Sequence, residues 1–350
     1  METISVGLVG VTGYTGMELA RILATHPTMR LVRATSRTEA GKPLASLYPF
    51  LQGYAAGDVV VTAPDAADLA KACRVVFLAV PHGTAMDYAA ELLAAGAAVV
   101  DLSADFRLAD PSVYADWYGQ DHRHPELLSQ AVYGLPELYA ANIKTTKLVA
   151  NPGCYPTSII LGLAPALTAG IIATDGIVAD SKSGASGAGR KAAAPSLFCE
   201  VHDSFRAYNL GKHRHTPEIE QELGTLAGKS LTVSFNPHLL PIDRGILSTI
   251  YTTLVDPLPL DAAHKIYASY YQDKPWVRVL PMGQLPETRF VRGSMFCDIG
   301  LAVDPRTNRL IIVSAIDNLC RGASGQAVAC ANLICGLPVD TGLQFAPLMP

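Results

Sequence analysis

Residues 4–16 read ISVGLVGVTGYTG, and this stretch decides the fold of the first half of the chain. An apolar run, Ile4–Val9, leads into glycines spaced G-x-x-G-x-x-G, and the following segment, Thr15–Ala24, has apolar residues at helical spacing. Nearly continuous apolar strands alternating with helices are typical of a parallel sheet covered on both faces. The predicted fold class is therefore α/β, with a doubly wound parallel (Rossmann) sheet. The further strands and helices that support it are Met29–Ala34, Val59–Val61, Ala66–Ala72, Val75–Val80, Thr84–Ala95 and Ala98–Leu102.

The pattern changes after Asn151. A helix is predicted over Tyr155–Leu167, and longer β patterns then follow with few helices between them. This texture favours an α+β domain built on a mostly antiparallel sheet. We therefore expect a first domain over residues 1–150 and a second over 151–322. A C-terminal helix, roughly Ala323–Cys335 within the segment of about 323–350, is expected to join the first domain. The later β patterns are Gly176–Ser181, Leu231–Phe235, Gly245–Leu254, Met295–Val303 and Leu310–Ile316.

The composition excludes several classes of protein. Of 350 residues, 27 are Lys or Arg and 31 are Asp or Glu, which gives a net charge of −4 and no basic surface for a nucleic acid. The mean hydropathy of +0.24 argues against disorder. The uncharged stretch Leu148–Thr174 is interrupted by prolines and glycines, so we interpret it as buried core and expect no membrane partner.

Other features indicate a cytoplasmic homo-oligomer. The seven cysteines form no C-x-x-C pair and lie mostly in apolar stretches, which is typical of free thiols in a reducing compartment. The start, Met1-Glu2-Thr3, lacks the basic region of a signal peptide. Charged residues make up 17% of the chain, against about 25% in typical domains. Low charge suggests that subunits bury surface against each other.

The glycine turn predicts a dinucleotide site. Glycines permit a tight turn and a close approach of the backbone, and the amide groups at the start of the next helix can face a pyrophosphate. An ordinary glycine turn of an α/β protein is the alternative. The residues expected to contact the cofactor here are Gly10, Thr12, Gly13, Tyr14, Thr15 and Gly16.

The end of the second strand indicates which dinucleotide binds. Sites for NAD usually have Asp or Glu at this point, whereas this chain has Ser36-Arg37. A guanidinium is suited to a 2′-phosphate, so NADP(H) is the expected cofactor. A strand further on ends in Pro81-His82, at the sheet edge where nucleotides bind, and we expect both residues to contact the cofactor.

Cys154 is the candidate nucleophile. It lies in Asn151-Pro152-Gly153-Cys154, between a strand and a helix, and a helix N-terminus stabilises a thiolate. A thiolate beside a nicotinamide suggests attack on an acyl group, followed by hydride transfer at the thioester. A buried structural cysteine is the alternative.

Such chemistry needs an acid/base near neutral pH, which a histidine supplies. His213 and His215 stand in the densest histidine cluster, before a proline-started helix. We favour His215 as the acid/base and His213 as its neighbour, and the choice between them stays open. An H-x-H pair can also bind metal, but no third ligand has a matching spacing, so no metal is expected.

Three further groups could bind anions. Ser103 and Arg107 follow the fifth strand and could hold a substrate carboxylate or phosphate, and Lys212 is a weaker candidate. The segment Ser183–Arg190 is predicted to be a glycine-rich loop that offers backbone amides, with Ser183 and Gly184 expected at the cofactor. An internal ion pair and a flexible loop are the respective alternatives.

Taken together, these motifs resemble the N-acetyl-γ-glutamyl-phosphate reductase family, of the aspartate-semialdehyde-dehydrogenase-like superfamily. The resemblance rests above all on NPGCYPT at 151–157 and KHRHTPEI at 212–219, and it spans almost the whole chain. It implies NADPH-dependent reduction of N-acetyl-γ-glutamyl phosphate in arginine biosynthesis, with Cys154 as nucleophile and His215, or less favoured His213, as acid/base. It also implies a cofactor contact at Asn318 and a homotetramer or homodimer.

Three rival functions remain. The same chemistry could act on aspartyl phosphate, although the HRHTPEI stretch speaks against it. It could also act on a carrier-linked glutamyl or aminoadipyl phosphate, although the chain has no strong basic cluster for an acidic carrier. A non-catalytic NADP-binding regulator would have no need of Cys154 or His215.

Overall fold

A computed structural model describes residues 3–349 and divides the chain into two compact units. The first extends through Pro152 and includes Ala323–Gln344, and the second is Gly153–Gly322 with the tail from Phe345. Met1 and Glu2, on which the expectation of no signal peptide partly rests, and Pro350 lie outside the described residues.

The first unit is built on a parallel sheet. Within residues 3–349 it has seven strands in the order β3-β2-β1-β4-β5-β7-β6, and the strand pairs are parallel. This confirms the predicted doubly wound α/β class. The strands are β1 Ile4–Val9, β2 Met29–Thr35, β3 Val61–Thr62, β4 Val75–Leu78, β5 Ala98–Asp101, β6 Ala131–Tyr133 and β7 Leu148–Ala150. The helices are α1 Tyr14–Ala24, α2 Leu44–Leu47, α3 Ala66–Ala72, α4 Ala85–Ala94, α5 Pro111–Tyr118 and α6 Pro136–Ile143, to which a C-terminal helix is added.

Several boundaries differ from the sequence prediction. Strand β4 ends at Leu78 and not at Val80, and β3 begins at Val61. Helix α5 was not predicted, although Asp110 caps its start and Gly119, with φ of +69°, ends it. Both are common helix boundary signals.

The second unit contains a mostly antiparallel sheet, as predicted. Its order in the described chain is β12-β13-β14-β11-β8-β10-β9, with β8–β10 and β12–β13 as parallel pairs. The strands are β8 Ile177–Gly184, β9 Arg206–Ala207, β10 Val233–Leu240, β11 Ile246–Thr253, β12 Val277–Val279, β13 Cys297–Asp304 and β14 Arg309–Ile316. The helices are α7 Cys154–Thr168, α8 Phe198–Val201, α9 Thr216–Ala227 and α10 Leu260–Tyr271.

Helix α7 forms the core of the second unit. Its residues Tyr155–Leu167 are buried, and it packs on β11 and β14. Strand β11 alternates buried and half-buried residues, with Ile246, Ser248, Ile250 and Thr252 buried. This alternation is typical of a strand with one face on the core. Burial of α7 on all sides explains the uncharged stretch at 148–174. Among the described helices, none combines the length and apolar character needed to cross a membrane.

The C-terminal helix is expected over roughly Ala323–Cys335. In the structure a π-helical segment, Cys320–Ser324, leads into α11, Gly325–Ile334, and the chain to Met349 is not helical. Gly336, with φ of +75°, and Pro338 follow the helix and prevent it from continuing. Only the part through Gln344 belongs to the first unit.

Candidate active site

Cys154 is the first residue of helix α7 and is partly exposed. Gly153 precedes it in an extended conformation, and its carbonyl accepts hydrogen bonds from the amide and the hydroxyl of Thr157, at 3.0 and 2.9 Å. The first turn of the helix contains no acidic residue. The partial positive charge of this helix end therefore lies beside Cys154, which favours the thiolate.

Two residues at the start of helix α9 contact the turn before Cys154. The carboxylate of Glu218, which is 1% exposed, accepts a hydrogen bond from the amide of Gly153 at 2.8 Å. The imidazole of His215 packs on the same glycine: a Cβ atom at position 153 would lie 2.5 Å from its Nε2. The absence of a side chain at Gly153 thus places His215 directly beside the residue that precedes Cys154.

His213 contacts His215 through a hydrogen bond and through its ring. Its Nδ1 accepts a hydrogen bond from the amide of His215 at 3.1 Å, and the two rings are 4.8 Å apart. Burial, with a smaller contribution from the charge of Arg214, lowers the pKa of His213 to about 4. A neutral imidazole whose Nδ1 accepts carries its proton on Nε2. His213 is therefore better suited to orienting His215 than to carrying a proton at neutral pH.

Two tyrosines complete this part of the second unit. The ring of Tyr155 lies 5.5 Å from His213 and 6.1 Å from His215, and its hydroxyl is 3.0 Å from that of Tyr208. Burial raises the pKa of Tyr155, and it raises the pKa of Tyr208 to about 12. The negative charge of an ionised Cys154 adds to both shifts. Both phenols therefore keep their protons at neutral pH and can donate hydrogen bonds.

Gly322 approaches Cys154 from the π-helical segment. A Cβ atom at position 322 would lie 2.6 Å from the Cβ of Cys154. Asp317 holds the start of this segment by accepting backbone hydrogen bonds of 2.8, 2.7 and 2.6 Å from Leu319, Cys320 and Gly293. Turns of π-helix occur frequently at functional sites. Glycine at position 322 therefore leaves the room that the Cβ of Cys154 occupies.

The predicted loop Ser183–Arg190 is only partly a loop. Ser183 and Gly184 are the last residues of β8, because Ser183 pairs with Ile246 of β11, and a 3-10 turn follows. The amide of Asn318 ties this turn to the start of β11: it accepts from Gly245 at 2.8 Å and donates to Ser186 Oγ at 2.9 Å. Ser183 is buried, whereas Lys212 is exposed in the loop before His213.

In the first unit, the glycine turn has the tight geometry that its sequence predicts. Gly10 has φ of +90°, and a Cβ atom there would lie 2.2 Å from the carbonyl oxygen of Ala79. A Cβ atom at Gly16 would lie 2.4 Å from the carbonyl oxygen of Gly10. Gly13 precedes helix α1, and the residues expected to contact the cofactor, Thr12, Tyr14 and Thr15, lie in the turn and at the helix start. Larger side chains at Gly10 and Gly16 would prevent the turn from forming.

Arg37 lines a cavity of about 570 Å³ in the first unit. Arg37 is exposed, whereas Ser36 is buried and its hydroxyl accepts from the amide of Thr38 at 3.2 Å. The cavity brings together the end of β2 and the starts of α3 and α4, and it includes Gly83. Pro81 and His82, just before Gly83, are exposed.

Ser103 and Arg107 are buried in the first unit. The hydroxyl of Ser103 donates to Asp101 at 2.7 Å, and Arg107 donates to the carbonyls of Asn151 and Leu102 at 2.8 and 3.0 Å. Burial raises the pKa of Asp101, and the nearby charge of Asp105 adds to that rise. These contacts are internal to the unit, so substrate binding by Ser103 or Arg107 stays a prediction.

Some residues of the candidate site have local sequence signals that the motifs above do not include. Glu218 stands three residues after His215, a spacing that places two side chains on the same side of a helix start. Gly322 and Gly325 after Asp317-Asn318 indicate close backbone packing there. No sequence pattern pointed to Tyr155 and Tyr208, since their contact joins distant segments.

Comparison with known proteins identifies the class. Residues 5–146 match the family described as semialdehyde dehydrogenase, NAD binding domain, and residues 154–318 match semialdehyde dehydrogenase, dimerisation domain. Solved structures of the same class share the fold. Aspartate semialdehyde dehydrogenase II of Vibrio cholerae has a TM-score of 0.73 at 15% identity, over 96% of this chain and 99% of its own. The enzyme of Candida albicans, solved with NADP, has a TM-score of 0.70 at 16% identity, over 95% and 98%.

Sequence relatives narrow the class to one family. The N-acetyl-gamma-glutamyl-phosphate reductase of Desulfotalea psychrophila is 53% identical, over 99% of this chain and 100% of its own length. That of Pelotomaculum thermopropionicum is 51% identical, over 99% of each. The chain belongs to the N-acetyl-gamma-glutamyl-phosphate reductase family, whose members are oxidoreductases of the semialdehyde dehydrogenase class.

Proposed function

We propose that this protein reduces N-acetyl-γ-glutamyl phosphate to N-acetylglutamate 5-semialdehyde and phosphate, with NADPH, in arginine biosynthesis. Full-length identity of 50% and above to reductases of this name supports the substrate. The observation that carries the chemistry is the contact of His215 with Gly153, directly before Cys154 at the start of α7. A nucleophile next to an acid/base is the arrangement that covalent catalysis on an acyl group requires.

The residues of the first unit fit a dinucleotide. Gly10 lets the backbone turn tightly, because a Cβ atom there would lie 2.2 Å from the carbonyl oxygen of Ala79. The following helix start, Tyr14-Thr15-Gly16-Met17, has no acidic residue to compete with a pyrophosphate. Arg37, exposed at the cavity and placed where an acidic residue would select NAD, supports NADP(H). When bound, NADPH supplies the hydride for the reduction.

Cys154 carries the acyl group. Its thiolate attacks the γ-carbonyl carbon, the bond from that carbon to the phosphate oxygen breaks, and phosphate leaves with the electron pair. The product is a thioester on Sγ of Cys154. We assign stabilisation of the oxyanion formed during the attack to backbone amides at the start of α7.

His215 moves the proton. We assign it to proton exchange with the oxygen of the thiohemiacetal, or to assisting its collapse to the aldehyde with release of the Cys154 thiolate. His213, held neutral by burial, orients His215. Glu218 fixes Gly153, and through it the start of α7. Ser103, Arg107 and Lys212 remain proposed substrate residues, and Ser183, Gly184, Asn318, Pro81 and His82 remain proposed cofactor contacts.

The protein is further proposed to act as a homo-oligomer, a tetramer or dimer, in the cytoplasm. A match of residues 154–318 to a dimerisation domain supports the assembly. Seven free cysteines support a reducing compartment.

A reverse-direction assay tests the proposal. Purified protein is supplied with N-acetylglutamate semialdehyde, phosphate and NADP, and absorbance of the reduced cofactor is followed. The wild type and Cys154→Ser are compared, with NAD and aspartate semialdehyde as controls. We expect phosphate-dependent reduction of NADP by the wild type and its loss in the variant.

Other results would redirect the proposal in defined ways. Activity on aspartate semialdehyde alone would keep the mechanism and overturn the substrate. Binding of NADP without activity on either aldehyde would favour a carrier-linked substrate or a non-catalytic regulator. Full activity of Cys154→Ser would overturn the thioester mechanism.

A further inference from the structure

The turn Pro81–Thr84, between β4 and α4 in the first unit, is held by a residue outside the set proposed to contact the cofactor. The carboxylate of Asp105 accepts hydrogen bonds from the amides of Gly83 at 2.7 Å and Ala85 at 3.0 Å. Asp105 is fully buried and also accepts from the hydroxyl of Tyr114 at 2.8 Å. The carboxylate of Asp105 therefore links the turn before α4 to Tyr114 of α5.

Helix α4 depends on this carboxylate for its cap. Thr84, the residue before the helix, is itself in a helical conformation, with φ of −94° and ψ of −28°, so it does not have the extended conformation of an N-cap. Asp105 supplies the missing acceptor from the loop after β5. Its negative charge at the helix N-terminus is favourable. The carboxylate of Asp105 therefore occupies the N-terminus of α4. Of the two helices, α1 is the one whose N-terminus is left to face a pyrophosphate.

Further contacts restrict the same turn. The carbonyl of Gly83, a residue with φ of +80°, accepts from Arg123, which also binds Asp87 on α4 at 2.8 Å. The Nδ1 atom of His82 accepts from the amide of Ala104 at 3.0 Å, which orients the imidazole. Pro81 and His82 remain exposed. The turn is thus rigid in its backbone while presenting two side chains outward.

We propose that Asp105 is a positioning residue that preorganises the turn Pro81–Thr84 for the cofactor. This inference rests on the proposed function, because it takes Pro81 and His82 as cofactor contacts. A preorganised site binds more tightly because less order has to be created on binding. Loss of the carboxylate leaves the buried amide of Ala85 and the partly buried amide of Gly83 without an acceptor, and lets the turn move.

Asp105→Asn tests the proposal. An amide side chain keeps one acceptor and loses the charge and the second acceptor. We expect the Kd for NADPH, measured by fluorescence titration without substrate, to rise about tenfold, which is about 1.4 kcal/mol. The KM for NADP in the reverse assay should rise by a similar factor, while kcat and the KM for the aldehyde substrate change less than about twofold.

Asp110→Asn is the matched control. Asp110 caps α5 by accepting from the amide of Ser112 at 2.8 Å, so it is also a helix-capping carboxylate of the first unit. This variant should lower the thermal midpoint slightly and leave the Kd for NADPH unchanged. If Asp105→Asn lowers the midpoint but leaves the Kd within twofold of the wild type, Asp105 is a helix cap only and the proposal is wrong.

Tyr114→Phe keeps the proposal testable if Asp105→Asn fails to fold. It removes the phenol bond to Asp105 and retains both capping bonds, so we expect a Kd for NADPH raised about twofold to threefold. An unchanged Kd in that variant would overturn the proposal. Absence of NADPH binding by the wild type would instead overturn the proposed function, so the two failures are distinguishable.

Discussion

His215 packs against Gly153 so closely that a Cβ atom on the glycine would lie 2.5 Å from Nε2 of the imidazole. Glycine at this position is therefore not needed for backbone conformation, since φ is −69° and ψ is 157°, but for the room that the histidine occupies. The contact joins the start of α7, which carries Cys154, to the start of α9.

Gly153→Ala tests the importance of this contact. The added methyl group must displace the imidazole, and misplacement of a catalytic group by about 1 Å can cost about 100-fold in rate. We expect kcat to fall by about that factor, measured in the reverse assay. Gly224→Ala, which adds the same methyl group within α9, is the control and should retain activity within about threefold. Wild-type kcat in Gly153→Ala would show that His215 is not placed by this contact.

Glu218→Gln tests the hydrogen bond to the Gly153 amide. Glutamine keeps an acceptor but loses the charge, and charge-assisted hydrogen bonds are about twice as strong as neutral ones. We expect kcat/KM to fall about tenfold, and further in Glu218→Ala. Glu220→Gln is the matched control, because Glu220 on the same helix also accepts a backbone amide, that of Val233 at 2.9 Å. Equal effects at both positions would point to helix stability instead of the cysteine turn.

Arg37→Ala tests the choice of cofactor. Loss of a guanidinium that binds a phosphate removes about 1.5–3 kcal/mol, or a factor of about 10 to 100 in Kd. The KM for NADPH should rise accordingly, while the KM for NADH stays constant. Arg30→Ala, an exposed arginine at the other end of the same strand, should change neither. A parallel rise for both cofactors would contradict recognition of a 2′-phosphate by Arg37.

Buried histidines make stability depend on pH. Burial lowers the pKa of His26 below its usual value of 6.5, and the pKa values of His122 and His213 are lowered for the same reason. Below pH 6.5 the unfolded chain binds protons that the folded protein does not bind. The free energy of unfolding therefore falls as the pH decreases, by at most about 1.4 kcal/mol per pH unit for each histidine.

Three carboxyl groups act in the opposite direction, because burial raises the pKa values of Asp101, Glu220 and Asp298. The raised pKa of Asp101 means that the folded protein binds a proton more readily than the unfolded chain, so its contribution to stability grows as the pH falls. Between pH 7 and pH 5 the three histidines outweigh Asp101, and the ordinary pKa values of Glu220 and Asp298, 4.5 and 3.8, lie below this range. Denaturant unfolding across this range should therefore show a net loss of stability. His26→Gln should show a shallower pH dependence than the wild type. Stability that is constant or greater at pH 5 would contradict these pKa directions.

The fold class could be predicted from the sequence because secondary structure is indicated by residues that are close together in the chain. Apolar runs such as Ile4–Val9 and the glycine turn that follows report their own secondary structure, and the two sheets were placed in the correct classes from them. Helix α5 was missed although its capping residues were present.

Only part of the proposed site could be predicted from the sequence. Cys154 and the two histidines stood out by residue type and local motif. Glu218 and Gly322 were missed because their significance lies in contacts with Gly153 and Cys154 across 65 or more residues of chain. The capping of α4 by Asp105 could not be predicted, because it depends on the register of two strands, which local propensity does not supply.

The most direct test of the account is to detect the acyl group on Cys154. The wild type is mixed with N-acetylglutamate semialdehyde and NADP in the absence of phosphate, quenched in acid, digested and examined by mass spectrometry. We predict a thioester on the peptide that contains Cys154, together with a burst of about one reduced cofactor per subunit, and neither in Cys154→Ala. Reduced cofactor formed without an acylated Cys154, or formed equally by Cys154→Ala, would contradict the covalent mechanism.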